Sequence, residues 1–470
     1  MSHDETPGTE RRPVRVAIVG AGPAGFFTAE ALLRRDAPVF EVDVYERLPT
    51  PFGLVRAGVA PDHQKIKSVT RTFEKTARNE RFRFLGNVEV GRDVTHAELA
   101  AHYDQVVYAV GSSSDRRLGV PGEELTDCHA ATAFVGWYNA HPDFRDFAFD
   151  LSARRAVIVG VGNVALDIAR VLLRSPDDLA KTDIAAHAIE ALRASRVREV
   201  VVLARRGPGQ VAFTPGELED IADIDGVGVV MDAAQVEAEM ARLDTLDGPA
   251  RRCVEVMHAV AGAAPRVTER TLRFEFCASP VEVLGREGQR VRAVRVERNE
   301  LLRTPEAVKA RGTGEFFEIE AGLVFRSIGY FGVPVPGVPF DVKAGVIPNR
   351  DGRVTTSPGG EVQPGTYAVG WIRRGPLGVI GTNKADATAV AEKMVEDVGS
   401  MRPTGPEPRR HAVDALLAAR NARVTTYTDW AFVDALEVAA GREAGKVREK
   451  FTSVETMMDA LMRASPRPAD

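Results

Sequence analysis

The sequence predicts an α/β protein in which one nucleotide-binding unit is inserted into another. An apolar run that breaks into glycines and continues in a helical pattern occurs at 14–33 and again at 155–173. A further glycine-rich turn occurs at 366–383. A strand, a glycine turn and a helix in this order form the phosphate-binding part of a dinucleotide fold. The first and third stretches are therefore expected to form one unit, and the second stretch the unit inserted between them.

The first turn combines three glycines with two other small residues: Gly20, Gly22, Pro23, Ala24 and Gly25. Gly20 permits the tight turn, Gly22 lets the backbone approach a pyrophosphate, and Gly25 allows close packing of helix on strand. A second apolar strand follows and ends in Glu46. An acid in this place accepts the hydroxyls of an adenosine ribose and suits a ligand without a 2′-phosphate, such as FAD or NAD.

A long apolar segment at 49–63 contains prolines and glycines that exclude a helix or a sheet interior. We expect it to line a flat aromatic ring system, and a buried structural loop is the alternative. A helix is predicted at 66–78, with strands at 82–90 and 103–111. The last of these strands ends in Gly111 and completes the first nucleotide-binding half.

The second turn contains Val161, Gly162, Asn163 and Val164. The next strand, at 199–203, leads into Arg205 and Arg206 instead of an acid. Two guanidinium groups can bind a 2′-phosphate, which distinguishes an NADP site from an NAD site; a solvated surface pair is the alternative. Glu217 follows, and its carboxylate either reaches the nicotinamide side of the cofactor or caps the helix that begins at 218.

The rest of the chain completes both units. Three antiparallel strands are predicted at 272–276, 281–284 and 291–296, and a buried strand at 323–330 ends the inserted unit. Backbone amides of the third turn are expected to contact a flavin, and Trp371 is either a stacking group or a core aromatic residue. The candidate residues of this turn are Gly370, Trp371, Gly378, Val379, Ile380 and Thr382. The pattern at 412–462 is helical.

Length and composition limit the class of protein. A chain of 470 residues exceeds one hydrophobic core, and a net charge of −5 argues against nucleic acid as the main partner. The three cysteines, Cys128, Cys253 and Cys277, form no Cys-x-x-Cys pair and are too few for a four-cysteine iron-sulfur cluster. They are expected to be buried core residues, and no metal site is predicted.

No targeting or membrane segment is predicted. No apolar run approaches the ~20 residues needed to span a bilayer. The polar segment 1–13 lacks the apolar stretch of a signal peptide and is expected to be a disordered tail. A cytoplasmic protein without membrane insertion is therefore expected.

Taken together, the motifs resemble the adrenodoxin reductase family, which includes bacterial ferredoxin-NADP+ reductases. The matching motifs lie at 20–25, 51–56, 59–63, 162–165, 205–208, 327–330, 370–371 and 374–380. The resemblance implies two Rossmann-like dinucleotide-binding domains, with an NADP-binding domain at 117–330 inserted into a discontinuous FAD-binding domain at 14–116 and 331–470. It implies hydride transfer from NADPH to FAD, then transfer of single electrons to a ferredoxin that supplies monooxygenases such as cytochromes P450 or other acceptors.

The resemblance also implies roles for individual residues. FAD contacts are implied for Ala24, Glu46, Leu54, Val90, Trp371, Gly378, Val379 and Ile380. NADP contacts are implied for Val161, Gly162, Asn163, Val164, Arg205, Arg206, Glu217 and Gly378. His63 and Glu217 match a family pair near the nicotinamide and the flavin, where they orient the rings and tune charge, since transfer between two aligned rings needs no base. A histidine that is only hydrogen-bonded within its loop is the alternative.

A separate ferredoxin is the expected partner, because the chain shows neither a mitochondrial presequence nor a fused ferredoxin module. The reductase is expected to be a monomer. Since ferredoxins are usually acidic, we expect a basic docking face near the cleft between the domains. Its candidate residues are Arg193, Arg196 and Arg198, or Arg251 and Arg252.

Three other classes of protein share part of this pattern. A disulfide or thioredoxin reductase needs the Cys-x-x-Cys pair that this chain lacks. A glutamate-synthase small subunit ordinarily carries a cysteine-rich N-terminal region and an acid where Trp371 stands. An electron-transfer subunit that binds FAD without turning over NADPH is the third alternative.

Overall fold

The computed structural model describes residues 7–10, 12–263, 268–286, 289–304, 307–400 and 410–464. The N-terminal part of the chain alternates strands and helices. Its strands are β1 (Val14–Val19), β2 (Phe40–Glu46), β3 (Phe82–Gly86), β4 (Gln105–Tyr108) and β5 (Ser114–Asp115). Its helices are α1 (Pro23–Leu33), α2 (Leu54–Ala57), α3 (Gln64–Lys67), α4 (Thr70–Ala77) and α5 (His96–His102).

The middle of the chain repeats the alternation and adds three long strands. Its strands are β6 (Cys128–Ala130), β7 (Arg155–Val159), β8 (Glu199–Ala204), β9 (Val227–Val230), β10 (Arg270–Phe276), β11 (Ala278–Arg286), β12 (Arg290–Arg303), β13 (Val308–Glu320) and β14 (Leu323–Arg326). Its helices are α6 (Ala131–Tyr138), α7 (Asn163–Leu173), α8 (Pro176–Leu179), α9 (Ala186–Arg193), α10 (Pro215–Ala222), α11 (Ala233–Met240) and α12 (Gly248–Ala261).

The C-terminal part supplies short strands and then helices. Its strands are β15 (Tyr330–Phe331), β16 (Asn349–Arg350), β17 (Arg353–Thr355) and β18 (Val362–Ala368). Its helices are α13 (Trp371–Arg374), α14 (Thr382–Asp397), α15 (Arg410–Ala419), α16 (Tyr427–Glu443) and α17 (Val454–Ala464). No helix among the described residues is long and apolar enough to cross a membrane.

Two large sheets organise the molecule. The seven-stranded sheet has the order β16-β17-β18-β4-β1-β2-β3, so both ends of the chain build it, and we call this part the outer unit. The six-stranded sheet has the order β6-β14-β7-β8-β10-β9 and comes from the middle of the chain, which we call the inserted unit. Strands β1 and β7 are central in their sheets and are almost wholly apolar, as expected for parallel strands covered on both faces.

The chain passes between the two units through a short ribbon. Strands β5 and β15 pair antiparallel, with Asp115 opposite Tyr330 and Ser114 opposite Phe331. The ribbon lies beside the predicted boundaries at 116/117 and 330/331. The boundaries themselves stay a prediction.

A buried ionic contact joins the C-terminal segment to both units. The Asp183 carboxylate of the inserted unit accepts hydrogen bonds from Lys67 Nζ at 2.7 Å and lies 2.9 Å from Lys450 Nζ. Lys450 also donates to the Arg56 carbonyl at 3.1 Å. Because breaking a buried ion pair leaves an uncompensated charge, this contact ties three separate segments together behind the loop at 49–63.

The predicted strand at 272–276 is real, but its predicted antiparallel pairing is wrong. It is β10, which runs parallel to both β8 and β9. The antiparallel sheet consists instead of β11, β12 and β13. Buried residues at Leu272, Phe274 and Phe276 alternate with more exposed ones, which indicates a strand with one better covered face. This alternation does not determine whether the neighbouring strands run parallel or antiparallel.

Smaller corrections concern the first half of the chain. The helix predicted at 66–78 is divided into α3 and α4, and the strands predicted at 82–90 and 103–111 end earlier than expected. The predicted disordered tail is also partly wrong, because Arg12 forms two hydrogen bonds with the Asp104 carboxylate, at 2.9 and 2.7 Å. Residues 1–6 and 11 of that tail lie outside the described residues.

Candidate functional site

A large cleft lies where the two units meet. It has a volume of about 1650 Å³, and both glycine turns line it. The turns follow the carboxyl ends of β1 and β7, which is where open parallel sheets bind nucleotides. The cleft is therefore placed to hold two nucleotides, one at the edge of each sheet.

The first turn shows a distinct function for each glycine. Gly20 has φ +109°, and a Cβ there would lie 2.6 Å from the Ala109 carbonyl oxygen. A Cβ on Gly25 would lie 2.1 Å from the Gly20 carbonyl oxygen, so helix α1 can approach the strand only with glycine here. Gly22 faces open space and caps α1 without a side chain, so the free amides of the helix are open to an anion.

Glu46 is held in place by the main chain at the end of β2. Its carboxylate accepts hydrogen bonds from the backbone amides of Ala21, at 3.1 Å, and Leu48, at 3.2 Å. Burial raises the pKa of Glu46, although these amides oppose the shift. The fixed carboxylate lines the cleft with lone pairs left for ribose hydroxyls.

The second turn has the same backbone conformation as the first. Gly160 has φ +118°, and a Cβ there would lie 2.0 Å from the Ser327 carbonyl oxygen, while Gly162 again faces open space. The Asn163 side chain accepts a hydrogen bond from the Thr214 amide at 2.8 Å, which joins the start of α7 to the segment before α10. The turn is therefore open to a pyrophosphate in the same way as the first.

Arg205 and Arg206 follow β8 and line the cleft. Within the described ranges, no carboxylate oxygen lies within 4.0 Å of a nitrogen of either guanidinium group. Burial and the neighbouring charge of Arg205 lower the pKa of Arg206. Two adjacent cations without a protein anion fit a phosphate group.

His63 and Glu217, the pair that the family resemblance implies, come together across the cleft. The distance from His63 Nε2 to Glu217 Oε2 is 3.7 Å, and Asp220 Oδ2 also lies 3.7 Å from this nitrogen. Burial and the charge of Arg170 lower the pKa of His63. Burial and the Asp167 carboxylate raise the pKa of Glu217 to about 7. A neutral imidazole therefore faces an acid that is partly protonated at neutral pH.

Sequence reasoning missed Arg170, which organises this cluster. Arg170 is fully buried and donates to Glu217 at 2.7 Å, Asp167 at 2.6 Å and Asp62 at 2.7 Å. Asp62 belongs to the loop of the outer unit, so Arg170 joins the two units beside His63. The sequence did contain a signal for this cluster, since Arg170 interrupts the apolar pattern of α7 and a buried arginine requires carboxylate partners.

His63, Asp167 and Glu217 also lie close enough to meet the distance criterion for a metal site, with ligand atoms within 4.8 Å of one another. Arg170 already donates hydrogen bonds to both carboxylates. A cation would have to displace this buried guanidinium, so the cluster is better described as an ion-pair network.

The third turn packs against the first. Gly370 has φ +75°, and a Cβ there would lie 2.6 Å from the Cβ of Ala24. The Trp371 ring lies 5.2 Å from the Tyr330 ring, and its Nε1 is buried without a hydrogen-bond partner among the described protein atoms. Leu377 and Val379 expose 70% and 57% of their surface in the cleft. Apolar groups exposed in a cleft mark a ligand-binding wall.

Most of the predicted site residues line this cleft. They are Gly20, Gly22, Pro23, Ala24, Glu46, Leu54, His63, Val90, Gly111, Val161, Gly162, Asn163, Val164, Arg205, Arg206, Glu217, Trp371, Gly378, Val379 and Ile380. Gly25, Gly370 and Thr382 are not among the residues that line the cleft; the two glycines are buried and Thr382 is exposed. Gly25 and Gly370 permit close packing, and the Thr382 hydroxyl accepts a hydrogen bond from the Val379 amide at 3.2 Å.

The cysteines lie outside this chemistry. Cys128 and Cys253 are buried as predicted, and burial raises the pKa of each thiol to about 11. The prediction is wrong for Cys277, which is only half-buried and has φ +52° in the turn after β10.

The two predicted docking faces lie on different elements of the inserted unit. Arg193, Arg196 and Arg198 precede β8, whose opposite end leads to Arg205 and the cleft. A strand of this length spans about 20 Å, which separates Arg198 from Arg205, and the docking role of Arg193, Arg196 and Arg198 stays a prediction. Arg252 lies on α12 and pairs at 3.4 Å with Glu219 of α10, the helix that carries Glu217. The Arg251–Arg252 pair is therefore linked to the helix that carries a cleft residue.

Two glycine turns that face one cleft define a two-domain pyridine nucleotide oxidoreductase. Residues 14–208 match the family model described as pyridine nucleotide-disulphide oxidoreductase. The chain is 46% identical over 458 residues to NADPH-ferredoxin reductase FprA of Mycobacterium tuberculosis, covering 95% of this chain and 99% of that protein.

Two further comparisons agree. The chain is 42% identical over 464 residues to the mitochondrial NADPH:adrenodoxin oxidoreductase of Homo sapiens, covering 96% of this chain and 93% of that protein. A solved structure of Mycobacterium tuberculosis FprA in complex with NADPH superposes with a TM-score of 0.91 at 45% identity, covering 96% of this chain and all of that one. The chain belongs to the adrenodoxin reductase family, which confirms the resemblance and the predicted fold class.

Proposed function

We propose that this chain is an FAD-dependent NADPH:ferredoxin oxidoreductase. The observation that carries the proposal is the pair of glycine turns on one cleft, one followed by Glu46 and the other by Arg205 and Arg206. The acid suits the ribose of FAD, and the arginines suit the 2′-phosphate of NADPH. Relatives named NADPH-ferredoxin reductase and NADPH:adrenodoxin oxidoreductase, similar over nearly their whole length, support the same activity.

The outer unit fits FAD. The first turn offers free helix amides to a pyrophosphate, and Glu46 offers acceptors to a ribose. Leu54, Val90 and the third turn would hold the flavin, and the buried Nε1 of Trp371 is a hydrogen-bond donor with no acceptor in the part of the chain that the structure describes. These features of the protein match the pyrophosphate, the ribose and the ring system of FAD.

The inserted unit fits NADP(H). Val161, Gly162, Asn163 and Val164 would hold the pyrophosphate at the start of α7, as the open space at Gly162 allows. The paired guanidinium groups would hold the 2′-phosphate at the end of β8. His63 and Glu217 line the same cleft and would flank the nicotinamide of a nucleotide bound there.

Bound FAD supplies the exchange between two-electron transfer from NADPH and one-electron transfer to ferredoxin. The protein residues align the rings and exclude water. His63 is neutral because burial and Arg170 lower its pKa, and it orients a ring without taking up a proton. Glu217 and Asp167, which both accept hydrogen bonds from Arg170, would set the charge on the nicotinamide side.

The physiological acceptor in this proposal is a separate acidic ferredoxin. A monomeric reductase in the cytoplasm completes the proposal. The Arg251–Arg252 pair is the proposed docking group, because Arg252 pairs with Glu219 on the helix that carries the cleft residue Glu217.

Anaerobic titration of the purified yellow protein with NADPH tests the activity. The flavin absorbance is expected to bleach with NADPH, and added ferredoxin is then expected to restore it and to pass electrons to cytochrome c. A flavin that stays oxidised with NADPH would instead identify a binding subunit without turnover. Bleaching without ferredoxin reduction would refute the acceptor while leaving the cofactor assignment intact.

Charge reversal tests the docking group. Arg251→Glu with Arg252→Glu is expected to raise the KM for ferredoxin about tenfold and to leave NADPH-dependent dye reduction unchanged. Arg196→Glu with Arg198→Glu is the matched control, since it makes the same charge change at the far end of β8. Equal KM values for the two double variants would reject this docking face.

A further inference from the structure

The turn that carries Arg205 and Arg206 is supported from the antiparallel sheet by one amide side chain. Asn299 Nδ2 donates to the Arg205 carbonyl at 2.9 Å and to the Ser279 hydroxyl at 2.7 Å. The Asn299 backbone amide donates to the Cys277 carbonyl at 2.7 Å, and the Cys277 amide donates to the Arg206 carbonyl at 3.1 Å. The carbonyls of both arginines are therefore held by residues outside their own strand.

Alternate residues of β12 extend this support. Leu301 packs under the same turn, where a Cβ on Gly207 would lie 3.1 Å from Leu301 Cδ1. Arg303 forms an ion pair with Glu239, whose carboxylate lies beside Gly209. Positions 299, 301 and 303 share one face because side chains alternate along a strand.

A register irregularity precedes this face. The pairing of β12 with β13 shifts between Glu297 and Asn299. Such a bulge bends a strand and redirects the side chains that follow it. In this protein the irregularity comes immediately before the residues that contact the arginine turn.

We propose that Asn299 is a positioning residue that makes the site select a 2′-phosphate. The inference rests on the proposed function, since it concerns the arginines assigned to NADPH. Paired guanidinium groups bind a phosphate through directed hydrogen bonds, which weaken when the backbone that carries them shifts. A nucleotide without this phosphate depends on the glycine turn instead and loses little when Asn299 is replaced.

Binding of two fragments to the FAD-loaded enzyme tests the proposal. The fragments are 2′,5′-ADP, which carries the discriminating phosphate, and 5′-AMP, which lacks it. Asn299→Leu is expected to raise the Kd for 2′,5′-ADP about 3- to 10-fold, the effect of losing one or two hydrogen bonds, and to change the Kd for 5′-AMP less than about twofold. Isothermal calorimetry measures both constants, and the KM for NADPH should rise while kcat stays unchanged.

Thr313→Val is the matched control. The Thr313 hydroxyl donates to the Arg298 carbonyl at 2.9 Å in the same irregular stretch, and no hydrogen bond joins it to the arginine turn. The control should therefore keep the wild-type ratio of the two Kd values. Asn299→Asp, with the same size, is a second variant, and its carboxylate is expected to lower 2′,5′-ADP affinity at least as much.

Each outcome decides the question. An unchanged ratio of Kd values in both Asn299 variants, or equal weakening of both fragments, would overturn the positioning role. A wild-type enzyme without preference for 2′,5′-ADP would instead contradict the proposed NADP site itself. A selective loss in Asn299→Leu and Asn299→Asp, absent in Thr313→Val, would establish the role.

Discussion

The two glycine turns use the same backbone geometry and are followed by residues of opposite charge. Gly20 and Gly160 both have strongly positive φ, and Gly22 and Gly162 both face open space in the cleft. After the first turn comes an acid held by main-chain amides; after the second come two arginines whose carbonyls are held from another sheet. The backbone selects a pyrophosphate, and the side chains after the next strand select which nucleotide carries it.

The turns also differ at their last position. Gly25 leaves no room for a Cβ, whereas Ala165 is accommodated and fully buried in the second turn. Helix α1 is therefore closer to its strand than α7 is at the matching point. The first turn tolerates less change than the second.

Replacing Gly25 by alanine should have the largest effect on cofactor binding, and replacing Ala165 by glycine a much smaller one. In Gly25→Ala the added Cβ would lie 2.1 Å from the Gly20 carbonyl oxygen, so the turn must shift and FAD binding should be lost. Ala165→Gly should cost about 1 kcal/mol of helix stability and retain NADPH binding. Flavin absorbance relative to protein absorbance measures the first variant. A yellow, stable Gly25→Ala protein would contradict the packing argument.

Removing both arginines should strongly reduce the selectivity of the second turn for NADPH over NADH. Arg205→Ala with Arg206→Ala is expected to lower the preference for NADPH over NADH about 100-fold, because charge-assisted hydrogen bonds to the 2′-phosphate are lost. The ratio of kcat/KM for the two nucleotides measures this. Arg196→Ala at the far end of β8 should leave the ratio unchanged. An unchanged ratio in the double variant would remove the 2′-phosphate assignment.

Neutralising the acid after the first turn should have a smaller effect. Glu46→Gln keeps the size of the side chain but loses the charge that strengthens hydrogen bonds from ribose hydroxyls. We expect the Kd for FAD to rise about 3- to 10-fold with unchanged NADPH affinity. Titration of apoprotein with FAD, followed by flavin fluorescence, measures the constant. A change in NADPH affinity instead would place Glu46 at the wrong nucleotide.

The free energy of unfolding should depend on pH because of Glu217, the acid on the nicotinamide side of the cleft. The pKa of Glu217 is raised from 4.5 to about 7 by burial and Asp167, so over this interval the folded protein retains a proton that the unfolded chain has lost. This group therefore makes the free energy of unfolding fall as pH rises toward 7, by up to about 1 kcal/mol per pH unit.

Glu217→Gln should flatten that profile, because glutamine does not titrate. Glu219→Gln, which replaces an exposed acid on the same helix, should keep the wild-type slope. Denaturant unfolding at a series of pH values measures both. Parallel profiles for wild type and Glu217→Gln would show that the carboxyl does not titrate in this range.

The sequence by itself determined both glycine turns and the charge that follows each. These features depend on consecutive residues: a strand, a glycine turn and a helix need only local order, and the end of the next strand is brought beside the turn by parallel pairing. Local order does not predict the pairing of His63 with Glu217, which only the family resemblance implied. Their approach to 3.7 Å requires the two units to meet.

Only the tertiary structure decided what supports these local features. Arg170 joins Asp62 of the outer unit to Glu217 of the inserted unit, and Asn299 reaches Arg205 across 94 residues of chain. Direction was decided in the same way for β10, whose alternating pattern fits a parallel or an antiparallel neighbour. Periodicity along a chain identifies the buried face of an element, but the partner on that face is chosen by packing between segments distant in sequence.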